Sequence, residues 1–268
     1  MSIQNLAADK GLLFGVMYSY TGNVMVRVAR DMVERGDIGE IISVNGEFVQ
    51  EWLLDKLDPE RQNRDSSLSV WRTDPKVAGI SNCVGDLGTH VENLIYYITG
   101  LEIKRLAATL NRFGHPLDLN ANILLEYENG ANGAIWSSQV AAGHLNDLVV
   151  RIYGTKGSLI WHQENPDTLT YTPRGEAPRL LTRGGGYNDV PSGKTNRLPT
   201  GHGEGLYSAF ANVYKDFVDA LIEKKAGKKP ATGRPIFPTV ADGVNGVKFV
   251  HAVVDSAENG SAWVSVNN

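Results

Sequence analysis

The sequence has 268 residues, 42% of them hydrophobic, a formal net charge of −4 and a single cysteine, Cys83. These values are typical of a folded globular protein, exclude an internal disulfide, and provide no overall positive field that would attract nucleic acid or an acidic membrane. The sequence shows no apolar run long enough for a membrane helix and no signal peptide at its start, so we expect a cytoplasmic protein without a nucleic-acid or membrane partner.

Residues 1–22 read like the interior of an α/β domain. Residues 6–10 are typical of a helix end that stops at Gly11, and residues 12–17 form a short apolar run that predicts a buried strand of a parallel sheet. Since no strand precedes this pair, we expect residues 1–22 to be the remnant of a domain whose other part is missing. The strand would then lack sheet neighbours, and we expect it to be disordered, paired elsewhere or used in oligomer contacts.

Residues 23–268 are expected to form a second, larger domain. Helical spacing of apolar residues, and short β-branched segments between turn residues, mark its elements. Helices are predicted at residues 24–35, 85–100, 205–224 and 239–259, strands at residues 41–49, 103–110, 121–127, 134–140, 148–153, 158–161 and 262–264, and long loops at residues 53–80 and 174–203.

The order of these elements predicts the fold class. A block of strands with helices before and after it favours an α+β fold, in which one large, predominantly antiparallel sheet carries helices on one face. The other face of the sheet must be covered or must tolerate water. We therefore expect a homo-oligomer formed through the sheet face.

The densest group of polar residues lies at the start of the helix predicted for residues 85–100. Asp86 and His90 are four residues apart, so they share one helix face, and the carboxylate can hydrogen-bond the imidazole. This pair suits a general base that takes a proton from an alcohol, because the helix N-terminus disfavours the imidazolium form. In the alternative interpretation, Asp86 is a helix N-cap and His90 is a packed, half-buried side chain.

A metal site is another alternative for this region. Cys83, Asp86 and His90 are close enough in sequence to face one ion, but they are an unusual zinc set, and no paired motif supplies further ligands. His202 and Glu204 form another short pair, in which Glu204 is better explained as a partner of the helix dipole that follows. We therefore expect no metal.

Aromatic and basic side chains gather near the predicted loops. Aromatic rings cover the apolar faces of sugars while polar side chains bind the hydroxyls, so these residues favour a carbohydrate site, unless several of them pack in the core. The sequence contains no G-x-G-x-x-G segment after a strand, no Walker sequence and no G-x-S-x-G elbow. The gathered residues are Tyr18, Tyr20, Trp52, Trp71, Arg72 and Tyr187.

Read in order, several segments resemble the glucose-fructose oxidoreductase and inositol dehydrogenase family, Gfo/Idh/MocA, over nearly the whole chain. The Tyr-Thr-Gly and Gly-His-x-Glu-Gly forms are most similar to a branch that acts on glucosides, anhydrosugars and inositols. The resembling segments are residues 15–27, 36–41, 71–75, 85–90, 153–158, 201–212 and 238–243.

The resemblance implies hydride transfer between a sugar or cyclitol carbon and the nicotinamide of NAD or NADP. His90 is then the catalytic acid/base, and Asp86 binds the substrate and supports it. Residues 1–22 would end a Rossmann domain, whose glycine fingerprint and Glu-Lys-Pro lysine are expected before residue 1. The expected substrate-binding residues are Tyr20, Gln50, Trp52, Arg72, Asp86 and His202, and the expected cofactor contacts are Trp71 and Arg72.

Two other functions stay open at the level of the sequence. A non-catalytic sugar-binding and oligomerisation module would keep the pocket and lack redox chemistry. A sugar isomerase or hydrolase would use Asp86 and His90 without nicotinamide, but nothing in the sequence supplies its second catalytic group. Whether the chain is an enzyme by itself is therefore an open question.

Overall fold

A computed structural model describes residues 2–61, 70–186, 196–228 and 233–266. Tyr187, one of the predicted site aromatics, lies outside these residues. The described residues confirm the expected class, because a large sheet carries helices packed against it. None of the described helices is long and apolar enough to cross a membrane.

The sheet has nine strands in the order β8-β7-β6-β5-β1-β4-β3-β2-β9. Neighbouring strands are antiparallel except for β1 and β4, which run parallel. The parallel pair follows from a long connection, since β1 inserts between two strands that come much later in the chain. The strands are β1 (Ile41–Val49), β2 (Ile103–Asn111), β3 (Asn120–Tyr127), β4 (Asn132–Ser138), β5 (Asp147–Gly154), β6 (Gly157–His162), β7 (Thr168–Pro173), β8 (Arg179–Thr182) and β9 (Val264–Ser265).

The helices α2, α5 and α7 pack against one another and against the sheet, and their apolar residues form the core. Chain chemistry sets their ends: α7 starts at a capping box of Thr239 and Asp242, and α5 stops at Gly100, which has a left-handed backbone. The helical elements are α1 (Ile3–Asp9), α2 (Val24–Glu34), α3 (Val70–Thr73), α4 (Pro75–Ala78), α5 (Thr89–Thr99), α6 (Leu206–Lys225), α7 (Val240–Glu258), two 3-10 turns (Ser19–Gly22 and Leu54–Leu57) and a π turn (Val84–Gly88).

The close approach of α5 to the sheet depends on Gly46 in β1. A Cβ atom at this position would collide with the Val91 side chain of α5. The missing side chain therefore lets α5 lie directly on the sheet. This packing fixes the position of the first turn of α5, which carries His90.

Helix α6 packs against the 3-10 turn Ser19–Gly22 that precedes α2. The fully buried Arg27 pairs with Asp216 of α6 at 2.6 Å, and the Asn212 side chain donates to the Gly22 carbonyl at 2.9 Å. A Cβ atom at Gly22 would collide with the backbone of Ala209. These contacts hold the 3-10 turn that carries Tyr20.

The predicted strand at residues 12–17 is wrong. Leu12 and Phe14 are exposed, and the segment makes one isolated bridge, between Gly15 and Thr239. The Val16 amide donates to the Pro238 carbonyl, so the segment pairs with the start of α7. An apolar run alone does not form a strand when no described strand lies beside it.

Candidate active site

The start of the helix that carries His90 is held by a residue from another part of the chain. The backbone amides of Asn82 and Val84 each donate to the Asp118 carboxylate, at 2.9 Å. Asp118 precedes β3 and supplies the helix cap that the alternative interpretation assigned to Asp86. The Asp86 side chain is thereby left available for other contacts.

His90 lies in a cluster of aromatic rings. Its imidazole meets the rings of Tyr20, Tyr18 and Phe48 edge-on, with centroid distances of 5.1, 5.6 and 6.1 Å. Its Nδ1 atom is buried and has no hydrogen-bond partner among the described residues. The imidazole is therefore held by packing against these rings, and no described residue hydrogen-bonds its Nδ1 atom.

The surroundings of His90 keep its imidazole neutral. Burial lowers the pKa of His90 to about 4, and the negative charge of Asp86 acts in the opposite direction. Near pH 7 the ring is therefore neutral, which is the form that accepts a proton as a base. The expected neutral histidine thus results from burial among aromatic rings.

Asp86 is held by two donors. Its Oδ1 accepts from Arg72 Nε and its Oδ2 from Gln139 Nε2, each at 3.0 Å. The expected hydrogen bond to His90 is not among those of the described residues. Asp86 acts on His90 through its charge.

A second polar group surrounds Tyr20. The Tyr20 hydroxyl is hydrogen-bonded to the Asn146 side chain, and Gln50 Nε2 donates to Asn146 Oδ1 at 2.6 Å. Tyr20 and Asn146 also line a cavity of about 360 Å³, together with Gln163 and others. The Gln163 Oε1 atom is buried and unpaired among the described residues, so this cavity offers polar atoms to a ligand rich in hydroxyls.

The other predicted residues differ in how they relate to this centre. Arg72 stacks on the ring of Trp71, 4.5 Å from its centroid, and Trp71 is 52% exposed. Trp52 is half-buried, and His202 is exposed. Among the described residues, no hydrogen bond or ring contact joins Trp52 or His202 to His90, Asp86 or Tyr20, so the structure does not bring these two into the cluster.

The described residues fit part of a nicotinamide cofactor. The exposed Trp71 ring with the stacked Arg72 presents a flat, cationic surface next to Asp86. A dinucleotide also needs a backbone cradle for its pyrophosphate, and these 268 residues contain no G-x-G-x-x-G segment after a strand. These residues suit the nicotinamide end and the proton-transfer side of such a site.

Sequence reasoning did not identify Gln139, Asn146 or Asp118. Gln50 and Gln139 directly follow β1 and β4, whose last residues, Val49 and Ser138, are register partners. Since these strands are parallel, both glutamines lie at the same edge of the sheet. The sequence shows that a glutamine follows each of two predicted strands. It does not show that these strands pair in parallel, so the two glutamines could not be placed together.

The metal alternative finds no geometric support. No three His, Cys, Asp or Glu side chains among the described residues come together as a metal site. Cys83 is fully buried, and burial raises the pKa of its thiol well above the usual value. A neutral thiol at this position behaves as a small core side chain.

Comparisons with known proteins match this chain to one family over most of its length. The family model described as "GFO/IDH/MocA C-terminal domain" matches residues 26–160. The uncharacterized oxidoreductase YfiI of Bacillus subtilis is 35% identical, over 98% of this chain and 67% of its own length. Levoglucosan dehydrogenase of Pseudarthrobacter phenanthrenivorans is 28% identical, over 96% of this chain and 68% of its own length.

Solved structures agree with these relatives. An inositol dehydrogenase homolog from Azotobacter vinelandii, complexed with NAD+, superposes with a TM-score of 0.88 at 33% identity, over 98% of this chain and 67% of that one. The levoglucosan dehydrogenase structure with NADH and levoglucosan has a TM-score of 0.83 at 26% identity, over 98% and 69%. About two thirds of each of these longer chains thus corresponds to the present one.

Proposed function

The chain belongs to the GFO/IDH/MocA family of oxidoreductases, and from this premise we propose that it is the substrate-binding part of a nicotinamide-dependent sugar or cyclitol dehydrogenase. The reaction transfers a hydride between a hydroxyl-bearing carbon and the cofactor. The observation that supports this proposal best is a neutral His90 near the charge of Asp86, with an Nδ1 atom that has no hydrogen-bond partner among the described residues. Solved structures of similar proteins hold NADH together with myo-inositol or with levoglucosan, which supports the substrate class.

In the oxidation direction, His90 accepts the proton of the substrate hydroxyl. The Asp86 carboxylate opposes the effect of burial and stabilises the imidazolium that forms. Hydrogen bonds from Arg72 and Gln139 hold this carboxylate in one orientation. A nicotinamide bound beside Trp71 and Arg72 would supply the hydride acceptor for the same carbon. In the reduction direction, the protonated His90 returns its proton to the carbonyl oxygen.

Polar side chains around the cavity beside Tyr20 would bind the other hydroxyls. Asn146 and Gln163 present amide groups there, and Gln50 orients Asn146. The Tyr20 ring gives an apolar surface of the kind that stacks on a sugar face. We propose Tyr20, Gln50 and Arg72 as substrate-binding residues, with Trp71 and Arg72 facing the cofactor.

We propose Trp52 and His202 as residues at the rim of the substrate site. Both lie on connections outside the packed cluster, so they would reach a substrate from the rim. Substitution of either should change the Michaelis constant more than the turnover number.

The outer face of the sheet is the proposed surface for homo-oligomer formation. Leu124 in β3 is 56% exposed on the face opposite the helices, and Trp136 of the neighbouring β4 lies half-buried on the same face. A sheet face with such residues favours pairing with a second copy. Light scattering of the purified chain tests this, and a monomer at micromolar concentration would argue against it.

Ligand titration tests the proposed function directly. The purified chain is titrated with NADH and NADPH by nicotinamide fluorescence, and its melting temperature is measured with myo-inositol, levoglucosan and a non-carbohydrate alcohol. Stabilisation by the polyols that is lost in Asp86→Asn supports the proposal. No stabilisation by any sugar or cyclitol, with or without cofactor, would contradict it.

A non-catalytic sugar-binding module is the second candidate. It is favoured by the cavity beside Tyr20, whose polar lining can bind hydroxyl groups without redox chemistry. Polyol binding that neither nicotinamide cofactor strengthens would favour this module over a dehydrogenase.

A further inference from the structure

The orientation of Asp86 is set by a chain of buried amides. Gln139 lies directly after β4 and is fully buried, and its Nε2 donates to Asp86 Oδ2 at 3.0 Å. Its own Oε1 accepts from Asn82 Nδ2 at 2.6 Å. The backbone at residue 139 is held on both sides, since its amide donates to Leu119 and its carbonyl accepts from Leu53.

The backbone carbonyl of Asp118 fixes the direction of the hydrogen bonds that link Asn82, Gln139 and Asp86. The Asn82 Nδ2 group also donates to the backbone carbonyl of Asp118 at 3.2 Å, and a carbonyl can only accept. The atom of Asn82 that faces Gln139 must therefore be the amide nitrogen Nδ2, and the atom of Gln139 that faces Asn82 must be the oxygen Oε1. The donor end of Gln139 is then the one that meets Asp86. An ionised carboxylate is the group that accepts here without conflict.

From this geometry we propose that Gln139 is a positioning residue, which holds the Asp86 carboxylate in one rotamer near His90. This inference rests on the proposed function, because it gives Asp86 a partner in that site. Arg72 holds the other carboxylate oxygen but is itself one-third exposed. Gln139 is therefore the fully buried one of the two donors that hold the Asp86 carboxylate.

The Gln139→Glu variant separates this role from simple packing. It keeps the shape and the acceptor for Asn82, but it turns the donor that faces Asp86 into a second acceptor. Two facing carboxylates bind a proton more tightly in the folded chain than in the unfolded one. The stability that depends on this proton is present at low pH and is lost as pH rises.

The surroundings do not obscure this signal. His90, with a pKa of about 4, and Cys83, whose pKa burial raises, keep their protonation states between pH 5 and pH 8. The other charged groups around the pair are Arg72 and Asp118, which are present alike in every variant. Differences from the wild type at each pH therefore report the new pair.

The experiment measures melting temperatures from pH 5 to pH 8 for the wild type, Gln139→Glu, and Gln139→Glu combined with Asp86→Asn. We expect the deficit of Gln139→Glu to grow by roughly 4 °C or more as pH rises. In the double variant the amide at position 86 donates to the new carboxylate, and this pH-dependent part disappears. Ser137→Ala, which alters a buried neighbour with no described partner for its hydroxyl, should show no pH-dependent deficit.

A deficit that is the same at every pH, or that persists in the double variant, would overturn the proposal. Turnover, where it is measured, should follow the same pattern: Gln139→Glu is closer to the wild type at pH 5 than at pH 8, while the double variant stays inactive. The melting experiment needs neither sugar nor cofactor. Its failure is thus distinguishable from a failure of the proposed function.

Discussion

Protonation of His90 should destabilise the folded chain. Burial places the pKa of His90 at about 4 in the folded state, against 6.5 for the free side chain. A depressed pKa gives stability that is present above pH 6.5 and is lost as pH falls towards 4, because the unfolded chain binds the proton first. The difference of roughly 2.5 pKa units corresponds to about 3 kcal/mol of unfolding free energy.

The measurement compares wild type with His90→Gln by urea unfolding between pH 7 and pH 4. The wild type should lose about 3 kcal/mol more than the variant over this range. An NMR titration of the His90 ring gives the midpoint independently, and Asp86→Asn should lower it further, because the Asp86 charge raises the pKa of His90. Equal pH dependence in both proteins, or a midpoint near 6.5, would refute a buried, neutral His90.

Three further predictions concern the scaffold around the site. Burial and the charge of Asp242 raise the pKa of Glu92 to about 8, so the wild type should lose about 3 kcal/mol relative to Glu92→Gln as pH rises from 5 to 8, measured by urea unfolding. Asp216→Ala leaves a fully buried arginine without its partner and should cost about 3 kcal/mol, while Asp219→Ala, in an exposed pair, should cost under about 1 kcal/mol by the same measurement. Gly46→Ala should lower the melting temperature by several degrees, because the new Cβ atom collides with Val91 and each kcal/mol of lost stability lowers it by roughly 2–4 °C. Gly85→Ala should leave the melting temperature unchanged, because no atom lies near its Cβ position.

The elements with a clear period were predictable from the sequence. Residues 41–49, 121–127 and 239–259 were predicted within one or two residues of β1, β3 and α7. The strands β7 and β8 were not separated from their loops, because they are short and lie at the sheet edge, where alternation is weak. The parallel pairing of β1 and β4 joins segments far apart in sequence, which local patterns do not report.

The same distinction holds for the site. Asp86 and His90 were visible because both lie at the start of one helix. Gln139 and Asp118 come from separate connections, and only the folded sheet brings them to this helix. Asn146 comes from a third connection and meets Gln50 and Tyr20. The partners of Asp86 were therefore the part of the chemistry that spacing did not reveal.

The most direct test of a catalytic His90 is nicotinamide-coupled turnover of myo-inositol, levoglucosan and related polyols by the wild type and by His90→Ala. Wild-type turnover, with a loss of roughly a hundredfold or more in a His90→Ala variant that keeps its polyol binding, is the expected result. Equal turnover in the two proteins, or no turnover of any sugar or cyclitol with either cofactor, would contradict the assignment of His90 as the base of a sugar or cyclitol dehydrogenase.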